Sequence, residues 1–118
     1  MDGSFVLRGY SAPMAKILDA HCDLLLVGDS VAMVLYGMEN TQGADISMMI
    51  RHAQAVMRGA EQALVVVDLP EGSYEASPEQ ALTTAEQIMQ ESSADAVKLE
   101  GGAILQPHIK LLVENGIP

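Results

Sequence analysis

Four short apolar runs alternate along this chain with longer segments in which apolar residues recur every three to four positions. The short runs predict strands, and the three-to-four spacing predicts amphipathic helices. The predicted strands lie at 4–10, 24–27, 63–70 and 95–102, and the predicted helices at 11–21, 45–60, 77–89 and 104–116. The order βαβαβαβα calls for a parallel sheet that is covered by helices.

Two architectures are compatible with this order of elements: an open doubly wound sheet and a (β/α)8 barrel. The motifs G-x-G-x-x-G and G-x-x-x-x-G-K, which support nucleotide-binding doubly wound folds, are absent from the sequence. A barrel normally needs about 250 residues and eight strands, so these 118 residues would form half of one. The final "GIP" is typical of the start of a fifth strand.

The predicted helices carry recognisable start and stop signals. Ser11 is placed to cap the first helix, with Pro13 just inside it. "SPEQ" at 77–80 predicts a capping box, and Gly116 predicts the C-cap of the last helix. Three consecutive β-branched valines in "ALVVVDLP" predict a strand that is buried on both faces.

Charge and composition exclude several classes of function. The net charge of -10 argues against binding nucleic acid through its phosphates and against docking on anionic membranes. The sequence shows neither a signal peptide nor an apolar run of the ~18 residues that a membrane span requires. We therefore expect a cytoplasmic protein. The single cysteine, Cys22, is expected to be a small buried thiol.

Carboxylates follow three of the predicted strands. Side chains alternate faces along a strand, so Asp29 is predicted to share a face with Leu25, and Asp68 with Val66. Glu100 holds the same relation to Lys98 in "AVKLE". The carboxyl ends of parallel strands meet at the edge where α/β folds bind ligands. Three acids at that edge need a cation, and hard oxygen ligands favour Mg²⁺ or Mn²⁺.

Each of these polar residues also has a plainer interpretation. An acid that follows a strand often only caps a turn, Ser30 is compatible with a turn hydroxyl, and Lys98 with a salt bridge to Glu100. The functional alternative for Lys98 is a cation that receives a substrate carboxylate. The histidines at 21, 52 and 108 have no ligand spacing typical of zinc, and those at 52 and 108 are expected to be solvated or locally hydrogen-bonded.

At these same residues the chain resembles the ketopantoate hydroxymethyltransferase family. The similar motifs follow the family's order and spacing over nearly all 118 residues. They are "DLLLVGDS", "MVLYG", "MIRHAQAVMRGA", "ALVVVDLPEGSY", "SPEQAL" and "DAVKLEGG". The resemblance implies a (β/α)8 TIM-barrel fold, of which residues 1–118 are the N-terminal half in one domain, and it implies assembly into a homo-oligomer.

The resemblance also implies roles for individual residues. Asp29, Asp68 and Glu100 would bind Mg²⁺, while Asp29, Ser30, Asp68 and Lys98 would contact the substrate. The implied reaction transfers a hydroxymethyl group from 5,10-methylenetetrahydrofolate to 3-methyl-2-oxobutanoate. The small 2-oxo acid and the folate are then the partners. No catalytic residue is assigned here, because the family's glutamate base lies beyond Pro118.

The chain departs from the family at several positions. Glu71 stands where phenylalanine is usual, and Val31 and Ala32 replace leucine and glycine. A half-barrel exposes two strand edges, so the chain is expected to be a fragment of a longer protein or a half-barrel that pairs with itself. Two other functions stay open: another Mg²⁺-dependent barrel that acts on 2-oxo acids, such as the isocitrate lyase and phosphoenolpyruvate mutase group, and a catalytically incomplete structural or assembly module.

Overall fold

The predicted alternation of strands and helices is present in the structure, a computed structural model that describes residues 6–118. Positions 4 and 5 of the predicted first strand lie outside the described residues. The strands are β1 (Val6–Arg8), β2 (Leu24–Val27), β3 (Leu64–Asp68) and β4 (Ala96–Lys98). The helices are α1 (Ala12–Leu18), α2 (Val31–Val34), α3 (Ile46–Gly59), α4 (Pro78–Ser92) and α5 (Gln106–Glu114).

The short helix α2 was not predicted, and neither were three 3-10 turns. These turns lie at Asp19–His21, Thr41–Gly43 and Ala103–Leu105. β4 is also shorter than predicted, since it ends at Lys98 before the Glu-Gly-Gly sequence. The sequence pattern located the elements that carry a hydrophobic face, whereas one-turn elements have too few residues to show a period.

The four strands form one parallel sheet in the order β1-β2-β3-β4. A doubly wound sheet reverses its strand order at a switch point, whereas successive barrel strands are neighbours throughout. The sequential order therefore supports the half-barrel prediction for residues 6–118.

One face of the sheet packs on the helices and the other is only partly covered. The register pairs Leu25 with Val65 and Val27 with Val67, and all four side chains are fully buried or nearly so. α3 contacts both β2 and β3 on this side. On the opposite face Leu64 is 57% exposed. The prediction that the third strand is buried on both faces is therefore wrong at Leu64, because residues 6–118 leave that end of the inner face uncovered.

The predicted helix caps are present with one change of partner. The Ser11 hydroxyl accepts a hydrogen bond from Met14 N at 3.2 Å, and the Ser77 hydroxyl accepts one from Gln80 N at 3.0 Å. In a capping box the Gln80 side chain would reach back to the N-cap amide. Here its oxygen accepts from Ala76 N instead, so it binds one residue before the cap.

The C-terminal segment turns back toward the exposed edge of the sheet. α5 ends at Glu114, Asn115 is its C-cap, and Gly116 follows with φ of 75°. Glycine suits this left-handed conformation because it lacks a Cβ. The turn brings Pro118 beside β4, where its carbonyl accepts a hydrogen bond from Val97 N at 3.3 Å. This contact begins the pairing that the predicted fifth strand would continue.

α1 and α3 are in close contact at Gly59. A Cβ added at Gly59 would lie 2.3 Å from the Ala12 carbonyl oxygen and 2.8 Å from the Ala15 Cβ. Backbone atoms of α1 cannot move away without shifting the whole helix. The absence of a side chain at Gly59 thus sets the distance between the two helices.

We predict that Gly59→Ala lowers the free energy of unfolding by about 1–3 kcal/mol, because the added methyl group overpacks this contact. Urea unfolding followed by circular dichroism measures the change. Gly102→Ala is the matched control, since nothing lies within 4 Å of a Cβ there. Equal unfolding midpoints for the two variants would contradict the prediction.

Candidate active site

A cavity of about 300 Å³ opens at the carboxyl ends of β2, β3 and β4. Five of its lining residues are carboxylates and one is a lysine. The lining consists of Asp29, Thr41, Asp68, Leu69, Glu71, Tyr74, Glu75, Lys98 and Glu100. The structure thus brings together four of the five site residues that the sequence predicted.

Asp68 is the last residue of β3 and the most enclosed of these acids. It is 7% exposed, and its Oδ2 accepts a hydrogen bond from Asp29 N at 3.1 Å. Its Oδ1 is buried and has no hydrogen-bond partner among residues 6–118. Lys98 Nζ lies 4.0 Å from this oxygen. A buried carboxylate oxygen without a partner is costly, so this atom points to a ligand that supplies a positive charge.

Lys98 and Glu100 lie at the end of β4. The register aligns Lys98 with Asp68, which places both side chains on the inner face. Lys98 Nζ donates to Glu100 Oε1 at 3.2 Å, and the Glu100 side chain is 76% exposed. The salt bridge that the sequence left as the plainer alternative for Lys98 is therefore present, with Asp68 close by.

Tyr74 holds the backbone of Glu100 in place, which sequence analysis did not foresee. The Tyr74 hydroxyl donates to the Glu100 carbonyl at 2.9 Å and accepts from Glu100 N at 3.2 Å. Burial raises the pKa of this buried tyrosine, so the hydroxyl keeps its proton. "EGSY" showed a tyrosine after a turn, but no sequence spacing links it to a residue 26 positions later.

Asp29 reaches the cavity by a different route from the predicted one. The register pairs Val27 with Val67, so the next pair along sets Gly28, and not Asp29, level with Asp68. The prediction that Asp29 shares the inner face by strand alternation is therefore wrong. β2 ends at Val27, and the turn that follows redirects Asp29 toward the cavity.

Gly28 allows this turn to pass close to Asp68. A Cβ at Gly28 would lie 3.4 Å from Asp68 Oδ2 and 3.3 Å from the Ser30 hydroxyl oxygen. The Ser30 hydroxyl and the Asp68 carboxylate therefore both lie next to Gly28. The Ser30 hydroxyl also bonds to the Tyr10 hydroxyl at 2.6 Å and accepts from Arg8 Nη1 at 3.3 Å. Neither Tyr10 nor Arg8 was predicted as part of the site.

The electrostatics of the cavity disfavour negative charge. Burial raises the pKa of Asp29 and of Asp68, and the neighbouring Glu100 carboxylate raises both further. Lys98 opposes these effects at both residues. Perturbed carboxyl groups in a cleft are typical of functional sites. A bound cation would relieve the same repulsion.

The residues of the cavity fit a hard divalent cation in part. Among residues 6–118, no group of three or more His, Cys, Asp or Glu side chains is arranged to hold a metal ion. Mg²⁺, however, keeps several waters and is often bound through only one or two carboxylates together with substrate oxygens. The buried Oδ1 of Asp68 supplies one such donor. The set Asp29, Asp68 and Glu100 stays a prediction.

The other sequence candidates lie elsewhere. His52 is locally hydrogen-bonded as predicted, through Nδ1 to the Tyr10 carbonyl at 2.5 Å and through Nε2 to the Tyr36 hydroxyl at 2.8 Å. His108 is 7% exposed, and neither ring nitrogen has a partner among residues 6–118, so the prediction of a solvated or hydrogen-bonded role is wrong. Cys22 is a half-buried free thiol whose pKa is raised by burial.

None of the helices between residues 6 and 118 has the length and hydropathy that crossing a membrane requires.

The fold is similar to that of solved (β/α)8 barrel enzymes. A 2,3-dimethylmalate lyase, described as a PEP mutase/isocitrate lyase superfamily member, matches with a TM-score of 0.69 at 17% identity, over 98% of this chain and 45% of that one. An oxaloacetate acetylhydrolase matches with a TM-score of 0.71 at 13% identity, over 99% and 46%. Identities this low show the fold alone.

Sequence comparison identifies the family. The chain is 57% identical over 112 residues to the 3-methyl-2-oxobutanoate hydroxymethyltransferase of Agrobacterium fabrum and 55% identical to that of Brucella canis. These matches cover 95% of this chain but only 40% and 41% of the relatives, so the chain spans about two fifths of their length. The sequence model of the ketopantoate hydroxymethyltransferase family matches residues 4–118, and the chain belongs to that family.

Proposed function

We propose that this chain supplies the metal-binding and 2-oxo-acid-binding half of a 3-methyl-2-oxobutanoate hydroxymethyltransferase site. The donor of the hydroxymethyl group would be 5,10-methylenetetrahydrofolate. The observation that carries the proposal is the buried Oδ1 of Asp68, which has no hydrogen-bond partner in the described part of the chain. It lies in a cavity that Asp29, Lys98 and Glu100 also line. Membership of the family supplies the reaction.

The roles divide according to the surroundings of each side chain. Asp68 and Asp29 would hold Mg²⁺ directly, because their carboxylates are the most desolvated of the site. Glu100 is exposed and paired with Lys98, so it would take part through a coordinated water. Lys98 and Ser30 would contact the substrate, with Lys98 also balancing the charge of Asp68.

The chemistry requires an enolate of the 2-oxo acid. A bound Mg²⁺ would withdraw charge from the 2-oxo group and so favour loss of the C3 proton. The residues of this chain would orient the acid and shield it in the cavity at the sheet edge. We propose that the glutamate that removes the proton lies after Pro118, as the family resemblance implies. The chain matches 40% of the Agrobacterium relative.

The departures from the family pattern differ in their consequences. Val31 and Ala32 are fully buried at the start of α2, so they change core packing and do not face the cavity. Glu71 lines the cavity, and its charge contributes to the raised pKa of Asp29. We propose that Glu71 strengthens the preference of the site for a cation. A cytoplasmic location and a homo-oligomeric assembly stay predictions.

We predict that Asp68→Asn weakens Mg²⁺ binding roughly tenfold or more, because it removes one charged oxygen ligand. In metal-free buffer the same variant should melt at a higher temperature, since it removes a buried charge that its neighbours repel. Isothermal titration calorimetry and thermal unfolding measure the two effects. Glu86→Gln, which makes the same charge change outside the cavity lining, is the control. Unchanged Mg²⁺ affinity would refute the assignment of Asp68.

As the pH is lowered, the affinity for Mg²⁺ should begin to fall at a higher pH than it would for two aspartates with ordinary pKa values. The pKa values of Asp29 and Asp68 are raised from 3.8, so protons compete with the cation at a higher pH. In the metal-free chain these groups bind protons more tightly when folded, and stability should therefore fall as the pH rises through the raised values. Titrations of Mg²⁺ at several pH values between 7.5 and 5 test this, and a flat profile would contradict it.

The reaction itself is tested by exchange of the C3 proton. The chain with Mg²⁺ and 3-methyl-2-oxobutanoate should bind the acid but exchange its C3 proton slowly, because the family base is not among these residues. Exchange and transfer from methylenetetrahydrofolate should appear when the remaining part of the Agrobacterium relative is added as a separate chain. Metal and acid binding without exchange in the mixture would favour an incomplete structural module.

A further inference from the structure

Arg8 belongs to the inner face of the sheet. The register pairs Arg8 with Leu26, Leu26 with Val66 and Val66 with Ala96. These four residues form one inward-facing layer, and Asp68 stands one layer above it on the same face. An arginine in this position directs a long side chain along the inner face toward the carboxyl ends of the strands.

The guanidinium of Arg8 reaches the edge of the candidate site. Its Nη1 donates to the Ser30 hydroxyl at 3.3 Å, and both that hydroxyl oxygen and Asp68 Oδ2 lie within 3.4 Å of the position that a Cβ at Gly28 would occupy. Burial raises the pKa of Asp29, and the positive charge of Arg8 acts against that rise. Arg8 is therefore close enough to the site for its positive charge to act on the Asp29 carboxylate.

Arg8 differs from Lys98 in being unpaired among residues 6–118. Lys98 Nζ lies 3.2 Å from Glu100 and 4.0 Å from Asp68, so its charge is already shared by two carboxylates. Arg8 forms no ion pair with a described residue, and its guanidinium has five N–H donors of which the neutral Ser30 hydroxyl occupies one. An exposed, unpaired guanidinium beside a ligand cavity is available to an anion.

We infer that Arg8 is a substrate-binding residue that, together with Ser30, receives the carboxylate of the 2-oxo acid. This inference rests on the proposed function. The planar guanidinium pairs with carboxylates through two parallel hydrogen bonds, a geometry that a lysine cannot provide. The 2-oxo group of the same molecule then faces Asp29 and Asp68. Lys98 keeps its salt bridges and balances the acids.

The test compares Arg8→Gln, Arg8→Lys and the unchanged chain in binding 3-methyl-2-oxobutanoate at saturating Mg²⁺. A charge-assisted hydrogen-bond pair predicts a dissociation constant about 10- to 100-fold higher for Arg8→Gln, and an intermediate value for Arg8→Lys. Without substrate, Mg²⁺ should bind Arg8→Gln slightly more tightly, because a positive charge near Asp29 is removed. Arg51→Gln, on the exposed surface of α3, makes the same charge change away from the cavity and should alter neither constant.

A second measurement does not depend on how the variants fold. The unchanged chain should bind the uncharged 3-methyl-2-oxobutanamide more weakly than the acid. The ratio of the two dissociation constants should be about the same as the increase that Arg8→Gln causes for the acid. Equal binding of acid and amide would overturn the inference. Acid binding unaltered by Arg8→Gln would also overturn it, and would leave the proposed function standing with Lys98 as the carboxylate partner. Failure of the unchanged chain to bind either Mg²⁺ or the acid would refute the proposed function itself.

Discussion

The parallel register of β2, β3 and β4 is the constraint on which the rest of the structure depends. It places the three carboxyl ends at one edge, so the acids that follow these strands cannot move apart without breaking the ladder. The buried valines on the helix-facing side hold that register, because a slip by one residue would turn them outward. The hydrophobic packing of the sheet thus maintains a cluster of like charges that would otherwise separate.

Carboxylates at the two edges of the sheet differ in their hydrogen bonding. At the amino-terminal edge Asp19 accepts hydrogen bonds from the backbone amides of Gln62 and Ala63, and Asp95 accepts one from Val65 N. The bond from Ala63 lowers the pKa of Asp19. At the carboxyl edge Asp68 Oδ1 accepts no hydrogen bond from any residue between 6 and 118. Acids at the first edge join segments of the fold, whereas Asp29, Asp68 and Glu100 at the second edge line the cavity.

Sequence analysis predicted the strand order, the helix caps at Ser11 and Ser77, and the grouping of four site residues, because each follows from a local pattern or from parallel pairing. It failed for Asp29, since strand alternation stops applying where β2 ends and the chain turns. It missed Arg8 and Tyr74 because their contacts join distant segments of the chain. Strand alternation, which places Arg8 on the inner face of β1, was the one feature of the sequence that could have indicated its role. The burial of His108 in α5 was not indicated by any sequence pattern.

The double contact of the Tyr74 hydroxyl with the backbone of Glu100 has a dynamic consequence. These two hydrogen bonds connect the loop after β3 to the loop after β4, so we expect the two loops to move together. The wall of the cavity that carries Asp68, Lys98 and Glu100 is therefore organised before a ligand arrives, and it loses little conformational entropy on binding. The Asp29 N–H donates to Asp68 Oδ2, so the turn after Gly28 is joined to the same wall. A ligand therefore meets a cleft whose three loops are already linked to one another by hydrogen bonds.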